Sequence, residues 1–190
     1  FVPSDVEIRR NHFDKPLAWR EGAPGFQGTS LTVKNLFELK NARRVVIDGN
    51  LFEHVWPAAQ NGFAVLFTPK NQNGHAPWTV VEDVQFTNNI VRQAGGGINI
   101  LGRDDHHPSG QARRIVIRNN LFLDISDRLF QLVHGADEVT IDHNTAVRTG
   151  TLVTGGDDVP HTGFAFTHNI APHGSYGIKG SGVASGLASR

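Results

Sequence analysis

The five residues 103–107 form the densest group of side chains in this chain that could do chemistry, reading Arg-Asp-Asp-His-His. Adjacent carboxylates repel each other, so one of Asp104 and Asp105 could keep its proton and serve as a general acid. Alternatively, both carboxylates ligate Ca²⁺, which prefers carboxylate and carbonyl oxygens. A polar, solvated loop with ordinary pKa values is the structural alternative.

A second acidic pair, Asp157 and Asp158, is followed by His161. If the two loops lie two strands apart in a parallel sheet, they are ~10 Å apart and can approach one ligand. The predicted catalytic residues are Arg103, Asp104, Asp105, His134 and Lys70. The predicted substrate-binding residues are Trp78, Asn99, Gln131, His107, Asp158, His161 and Lys179. The predicted Ca²⁺ ligands are Asp104, Asp105 and Asp157.

The elements that position these side chains are predicted by a repeated pattern, apolar-x-apolar-x-x-Asn. Apolar residues two apart lie on one face of a strand, and the change of interval at the Asn indicates a bend. Asn tolerates the left-handed conformation of a tight corner, and stacked asparagines could hydrogen-bond to one another. The six asparagines are Asn11, Asn50, Asn89, Asn120, Asn144 and Asn169, at intervals of 39, 39, 31, 24 and 25 residues.

A further short apolar segment accompanies each motif, and it predicts a third strand per repeat. These strands are predicted at Leu36–Leu39, Phe63–Phe67, Gly97–Leu101, Leu129–Val133, Thr151–Thr154 and Tyr176–Ile178. The apolar residues alternate with a period of two, which excludes helical repeats. One repeat cannot bury its own apolar face, so the repeats must stack on one another. The pattern therefore predicts an all-β, right-handed, single-stranded parallel β-helix, a three-sheet solenoid of about six to seven rungs. We expect residues 1–190 to form one domain of a longer chain.

Three segments, 43–55 (RRVVIDGNLFEHV), 113–125 (RRIVIRNNLFLDI) and 137–150 (DEVTIDHNTAVRTG), resemble rungs of the right-handed parallel β-helix proteins of the pectate-lyase-like superfamily. The resemblance implies an exported carbohydrate-active or surface protein and a site on the third-strand sheet, but no definite reaction. In the lyases of this superfamily, an Arg or Lys is the base. For a lyase, the resemblance therefore implies Arg103 or Lys70 as base and Ca²⁺ on Asp104 or Asp105.

A polygalacturonase-like hydrolase is a second comparison within this superfamily. The order Asp104-Asp105, His134-Gly135 and 177–179 (Gly-Ile-Lys) is similar to the order of that family's motifs. The chain departs from it at Thr68-Pro69-Lys70, where a catalytic carboxylate is missing, and at Gly177, where the family has an arginine.

The insertions between strands indicate what the site binds. Residues 15–34, 69–80, 102–112 and 155–162 fall, by the phase of the repeat, around the third-strand sheet. Long loops in a compact repeat are often functional, and loops along one face would form a groove suited to an extended polysaccharide. Trp78 is then placed to stack on a sugar ring.

The composition excludes several classes of protein. Hydrophobic residues make up 38% of the chain, which is enough for a core, and the zero net charge argues against nucleic acid as a partner. There is no cysteine, and no apolar run reaches the ~20 residues of a membrane span. We expect a secreted or cell-surface protein, with a periplasmic location as the alternative.

The alternative function is a non-catalytic structural or adhesive β-helix. Two sequence features favour this alternative: no capping helix is predicted before Val6, and the C-terminal end is rich in Gly and Ser. Uncapped ends of a solenoid expose strand edges, which can pair end to end with another copy.

Overall fold

The computed structural model describes residues 1–29, 31–156, 159–174 and 176–180, apart from the side chain of Arg148. The described part is all-β, with two short 3₁₀ helices at Leu17–Trp19 and Gln72–Gly74. Its strands are β1 (Ser4–Arg9), β2 (His12–Asp14), β3 (Phe37–Leu39), β4 (Ala42–Asp48), β5 (Leu51–Val55), β6 (Phe63–Phe67), β7 (Val81–Thr87), β8 (Ile90–Ala94), β9 (Gly96–Leu101), β10 (Arg113–Arg118), β11 (Leu121–Val133), β12 (Asp137–Asp142), β13 (Thr145–Gly155), β14 (Ala165–Thr167) and β15 (Ile178–Gly180). Within the described ranges, no helix has the length and apolar character needed to cross a bilayer.

The first sheet contains the strands that precede the six asparagines. Its order is β1-β4-β7-β10-β12-β14, and every neighbouring pair is parallel. The paired apolar residues Ile47, Phe86 and Ile117 are completely buried, whereas residues between them along each strand face outward. This alternation follows from the two-residue period of a strand, and it places one face of the sheet on the core.

The second sheet combines the two other predicted sets of strands. Its order is β2-β5-β8-β11-β9-β6-β3, with β13 paired to β11 and β15 paired to β13. The N-terminal part of β11 pairs with β8 and its C-terminal part with β9, on either side of an irregularity between Ile125 and Arg128. The prediction of three separate sheets is therefore corrected to two, because β11 and β13 continue through the corner without a break. The last predicted strand, Tyr176–Ile178, is shifted to Ile178–Gly180.

The six asparagines form one continuous column of hydrogen bonds, as the repeat predicted. Asn50, for example, donates from its backbone N–H and its side-chain amide to Oδ1 of Asn89, at 2.8 and 3.0 Å. The same pair of bonds links Asn11 to Asn50, Asn89 to Asn120, Asn120 to Asn144, and Asn144 to Asn169. The predicted backbone was wrong by one residue, because the left-handed conformation belongs to the residue before each asparagine. Those residues are Arg10, Gly49, Asn88, Asn119, His143 and His168.

Aromatic side chains fill the space between the sheets. The rings of Phe13 and Phe52 are stacked with centroids 4.7 Å apart, and Phe52 also contacts Phe86 at 5.6 Å. Phe122 and Phe130 pack edge to face at 5.2 Å. This continuous core fixes the outward direction of every second residue, including those of the candidate site.

Candidate functional site

An outward column runs across the strands β3, β6, β9, β11, β13 and β15. The register of the parallel pairs aligns Glu38, Leu66, Asn99, Gln131, Thr154 and Lys179. Neighbouring strands are ~4.8 Å apart, so these side chains make a row along the sheet. The row, called here the outward column, brings together three residues predicted to bind substrate: Asn99, Gln131 and Lys179.

The centre of the outward column is half-buried and rich in hydrogen-bonding groups. Oδ1 of Asn99 is buried and, among the described residues, accepts no hydrogen bond. Beside it, Gln131 accepts a hydrogen bond of 2.6 Å from Arg128. At the last strand, the ammonium of Lys179 lies 4.8 Å from the ring centroid of Tyr176, whose side chain is exposed. The column therefore offers amide, hydroxyl and cationic groups to one extended ligand.

Two loops border the same edge of the outward column. Because β6 and β9 are parallel neighbours, residues 68–80 and 102–112, which follow them, lie side by side. The ammonium of Lys70 in the first loop lies 2.7 Å from Asp104 and 2.9 Å from Asp105 in the second. Three of the predicted catalytic residues are thus in contact, and they are called here the Lys70 cluster.

The carboxylate of Asp104 is fully buried and holds the two loops together. It accepts hydrogen bonds from Lys70, from the N–H of Asn71 at 2.7 Å and from the N–H of His106 at 2.9 Å. Burial raises the pKa of Asp104, but these donors outweigh burial and hold the pKa well below its usual value. Asp104 is therefore ionised at neutral pH, the opposite of what a general acid requires.

Lys70 is equally unsuited to act as a base. Burial lowers its pKa, but the hydrogen bonds and charges of Asp104 and Asp105 outweigh burial, so the pKa is raised. A lysine that abstracts a proton needs a lowered pKa. The exposed member of the cluster is Asp105, whose side chain is 43% accessible.

The residues of the Lys70 cluster do not fit a calcium ion. The Lys70 ammonium already occupies the space between the two carboxylates, and the remaining acceptor positions of Asp104 are taken by backbone N–H groups. A Ca²⁺ ion needs six to eight oxygen ligands. Asp157, the third predicted ligand, lies outside the described residues, as does Asp158.

Other predicted residues lie on the rim without joining this cluster. Arg103 is exposed and donates to Gln111 at 3.1 Å, within its own loop. His107 is exposed beside Gly74 of the neighbouring loop, and Trp78 is 52% accessible. Trp78 is thus available for stacking, whereas Trp56 is buried against the protein.

The two remaining predicted histidines lie at the end of β11 and in the loop after β13. His134 directly follows β11 and has a left-handed backbone, with a φ of 57°. His161 accepts a hydrogen bond of 3.0 Å from the N–H of Ala136. This hydrogen bond connects the loop after β13 to the turn before β12.

A group of charged and imidazole side chains that the repeat pattern did not predict lies on the outward face of β2, β5 and β8. Glu53 is buried, with Arg92 at 2.5 Å and His12 at 2.7 Å. His54 lies 2.6 Å from Asp14. Aligning the residues that follow Asn11, Asn50 and Asn89 would have placed these five in neighbouring positions. They are called here the Glu53 cluster: His12, Asp14, Glu53, His54 and Arg92.

Comparisons of the chain with protein families, with curated proteins and with solved structures find no match. Function therefore rests on the geometry of the outward column and of the loops that border it.

Proposed function

We propose that this chain is a secreted or cell-surface right-handed parallel β-helix that binds an extended polysaccharide along the outward column. The pairing of each strand with its counterpart in the next repeat supports successive rungs of a solenoid. So does the column of asparagines, one from each repeat. The superfamily of pectate-lyase-like proteins is the proposed structural relative.

The observation that carries the proposal is the alignment of Asn99, Gln131, Thr154 and Lys179 in one row. A polysaccharide presents hydroxyl groups at intervals along its length, and amide and hydroxyl side chains can both donate to and accept from them. An unpaired buried amide oxygen is costly. A rotation of the Asn99 amide would offer that acceptor to a sugar hydroxyl.

Binding without cleavage is the form of the function that the geometry supports best. Of the predicted catalytic residues, Lys70 and Asp104 are held as an ion pair with pKa values displaced away from proton transfer at neutral pH. Their contacts instead fix the positions of the two rim loops, which carry Trp78 and His107. A pre-formed rim lowers the cost of ordering loops when a ligand binds.

The test is titration calorimetry of the chain with a panel of soluble uronate and neutral polysaccharides. Gln131→Ala is expected to weaken binding to the glycan that the wild type binds by about tenfold, the equivalent of one strong hydrogen bond. The matched control is Gln85→Ala, since Gln85 is exposed on the outward face of the six-stranded sheet. Equal affinity of both variants and the wild type would contradict the proposed site.

Cleavage is measured on the same panel. A lyase creates a double bond that absorbs ultraviolet light, and a hydrolase creates reducing ends. We expect neither product. Accumulation of either, lost in the Asp105→Ala variant, would show that the exposed carboxylate of the Lys70 cluster is catalytic.

A second candidate function, a structural or adhesive module, has support from exposed apolar side chains. Ile90, Val147 and Ile170 are 39%, 46% and 71% accessible on strands β8 and β13 and just after β14. Exposed apolar patches mark interaction sites. Association of copies, including the end-to-end form, predicts that the mass measured by light scattering increases with concentration.

A further inference from the structure

A group of three metal-binding side chains lies at one end of the six-stranded sheet, away from the outward column. Asp142 is the last residue of β12, and His143 follows it. His168 follows β14, the neighbouring strand, one repeat later. Both histidines have left-handed backbones with φ of 53°, and their rings are stacked with centroids 4.8 Å apart.

Both imidazoles face the carboxylate of Asp142. Nδ1 of His143 lies 2.6 Å from Oδ2, and Nδ1 of His168 lies 2.9 Å from Oδ1. The three side chains offer one ligand atom each, and these atoms all lie within 4.8 Å of one another. The side chains of His143 and His168 are 47% and 68% accessible, so an ion can reach them from solvent.

We propose that Asp142, His143 and His168 form a binding site for a divalent transition-metal ion of the Zn²⁺ type. Two imidazole nitrogens and one carboxylate oxygen are the ligand set that Zn²⁺ accepts in open sites, with water as the fourth ligand. Ca²⁺ and Mg²⁺ prefer oxygen ligands only and are not expected to bind. This site is independent of the proposed glycan binding.

The geometry needs only a small adjustment. Ligand atoms around a tetrahedral Zn²⁺ ion are ~3.3 Å apart, as follows from metal–ligand distances of ~2.0–2.1 Å. The nitrogens of His143 and His168 lie 2.6 and 2.9 Å from the two different oxygens of Asp142, and one ligand atom from each residue lies within 4.8 Å of the others. Rotations of the exposed imidazoles can adjust these separations to those of a zinc site. Thr167 donates a hydrogen bond of 2.8 Å to Oδ1 of Asp142 and so orients the carboxylate.

The Glu53 cluster contains the second group with metal-binding geometry among the described residues, namely His12, Asp14 and Glu53. Its buried carboxylate is already paired with Arg92 at 2.5 Å. Asp142 is paired with Arg118 at the longer distance of 3.3 Å. The Asp142 group is therefore the better site, and the Glu53 cluster serves as an internal comparison.

The chain provides its own replacement residues for the test. In two other repeats, the left-handed position before the column asparagine is occupied by Asn88 and Asn119. The double variant His143→Asn, His168→Asn copies these residues, so its fold is expected to be unchanged. Titration calorimetry with ZnCl₂ at pH 7.5 is expected to show one Zn²⁺ fewer, or at least about tenfold weaker binding, than for the wild type.

Three further measurements decide between the proposal and its failure. Saturating Zn²⁺ should raise the melting temperature of the wild type by about 5 °C, and leave that of the double variant unchanged. The control variant His12→Asn should keep the full effect. In NMR spectra of the wild type, Zn²⁺ should shift the imidazole nitrogens of His143 and His168. Equal Zn²⁺ binding by wild type and double variant, or shifts confined to other histidines, would overturn the proposal.

Discussion

Asn89 donates two hydrogen bonds to Oδ1 of Asn120, from its backbone N–H at 2.8 Å and from its side-chain amide at 3.1 Å. Both asparagines are buried, with 1% and 2% of their surface accessible. The side-chain amide of Asn120 in turn donates to the carbonyl of Phe86 and to Oδ1 of Asn144. One side chain thus bonds to the repeats on both sides of its own.

We predict that Asn120→Ala lowers the free energy of unfolding by about 3 kcal/mol, because a buried group left without its partner costs about 1–3 kcal/mol. Urea denaturation measures the effect. The control is Asn119→Gly, since Asn119 is exposed, has a φ of 55° and corresponds to Gly49 in another repeat. A loss in Asn120→Ala no larger than in this control would mean that the column does not stabilise the fold.

A second prediction concerns the buried ion pair between Lys70 and Asp104. Lys70→Met leaves the Asp104 carboxylate buried with fewer hydrogen-bond donors. We therefore expect this variant to lower the free energy of unfolding by about 2 kcal/mol at pH 7. This is less than the ~3–5 kcal/mol typical of fully buried pairs, because the Lys70 side chain is 24% accessible. Lys40→Met is the control, since Lys40 is 54% accessible and lies 3.7 Å from Glu38.

The pH dependence of stability provides a second readout for the same pair. The pKa of Asp104 is lowered in the folded protein, so its contribution is complete above the unfolded value of about 3.9 and is lost as the pH falls below it. The wild type should therefore lose stability below about pH 4, and Lys70→Met should lose less over that range. Parallel curves for the two proteins would show that the pair does not lower this pKa.

A third prediction concerns the glycine that begins the second rim loop. A Cβ on Gly102 would overlap the carbonyl oxygen of His134, whereas a Cβ on Gly155 would meet only the carbonyl oxygen of Lys179, at 3.9 Å. Gly102→Ala is therefore expected to lower the melting temperature by several degrees and to weaken glycan binding, because the loop must move. Gly155→Ala should change neither in differential scanning calorimetry and glycan titration.

A fourth prediction concerns Arg118, which lies 3.3 Å from Asp142 and competes for its carboxylate. Arg118→Gln removes a positive charge beside the proposed Zn²⁺ site, and Zn²⁺ should therefore bind several-fold more tightly to this variant. Arg9→Gln is the control, because Arg9 pairs with Asp48 in another repeat. Weaker Zn²⁺ binding by Arg118→Gln would contradict the assigned ligands.

The strands were predictable because the period of apolar residues and the phase of the asparagines are local signals. The continuity of β11 was not, since whether a strand breaks at a corner depends on packing around Ile125 and Arg128. The sequence pattern also placed the left-handed backbone conformation one residue too late, on the asparagine itself. The asparagine side chain is used for the column of hydrogen bonds, and the corner itself falls on the residue before it.

The proximity of Lys70 to Asp104 and Asp105 was predictable from the sequence, but the burial and ionisation of Asp104 were not. Placing Lys70 with Asp104 and Asp105 followed from the phase of the loops. That Asp104 is fully buried and accepts two backbone hydrogen bonds depends on the path of residues 68–80, which carries no repeat signal. The repeat pattern did not predict the pairing of Glu53 with Arg92. These two residues occupy the same position in neighbouring repeats but differ in type, so they give no repeated signal.

The column of asparagines has a consequence for the time that the chain needs to fold. The hydrogen bonds between its asparagines join residues that are 24–39 apart in sequence, and none of these bonds can form within a single repeat. Folding rates fall steeply as such distant contacts come to dominate. We therefore expect slow refolding, with each repeat acquiring its native corner only after its neighbour has supplied the acceptor.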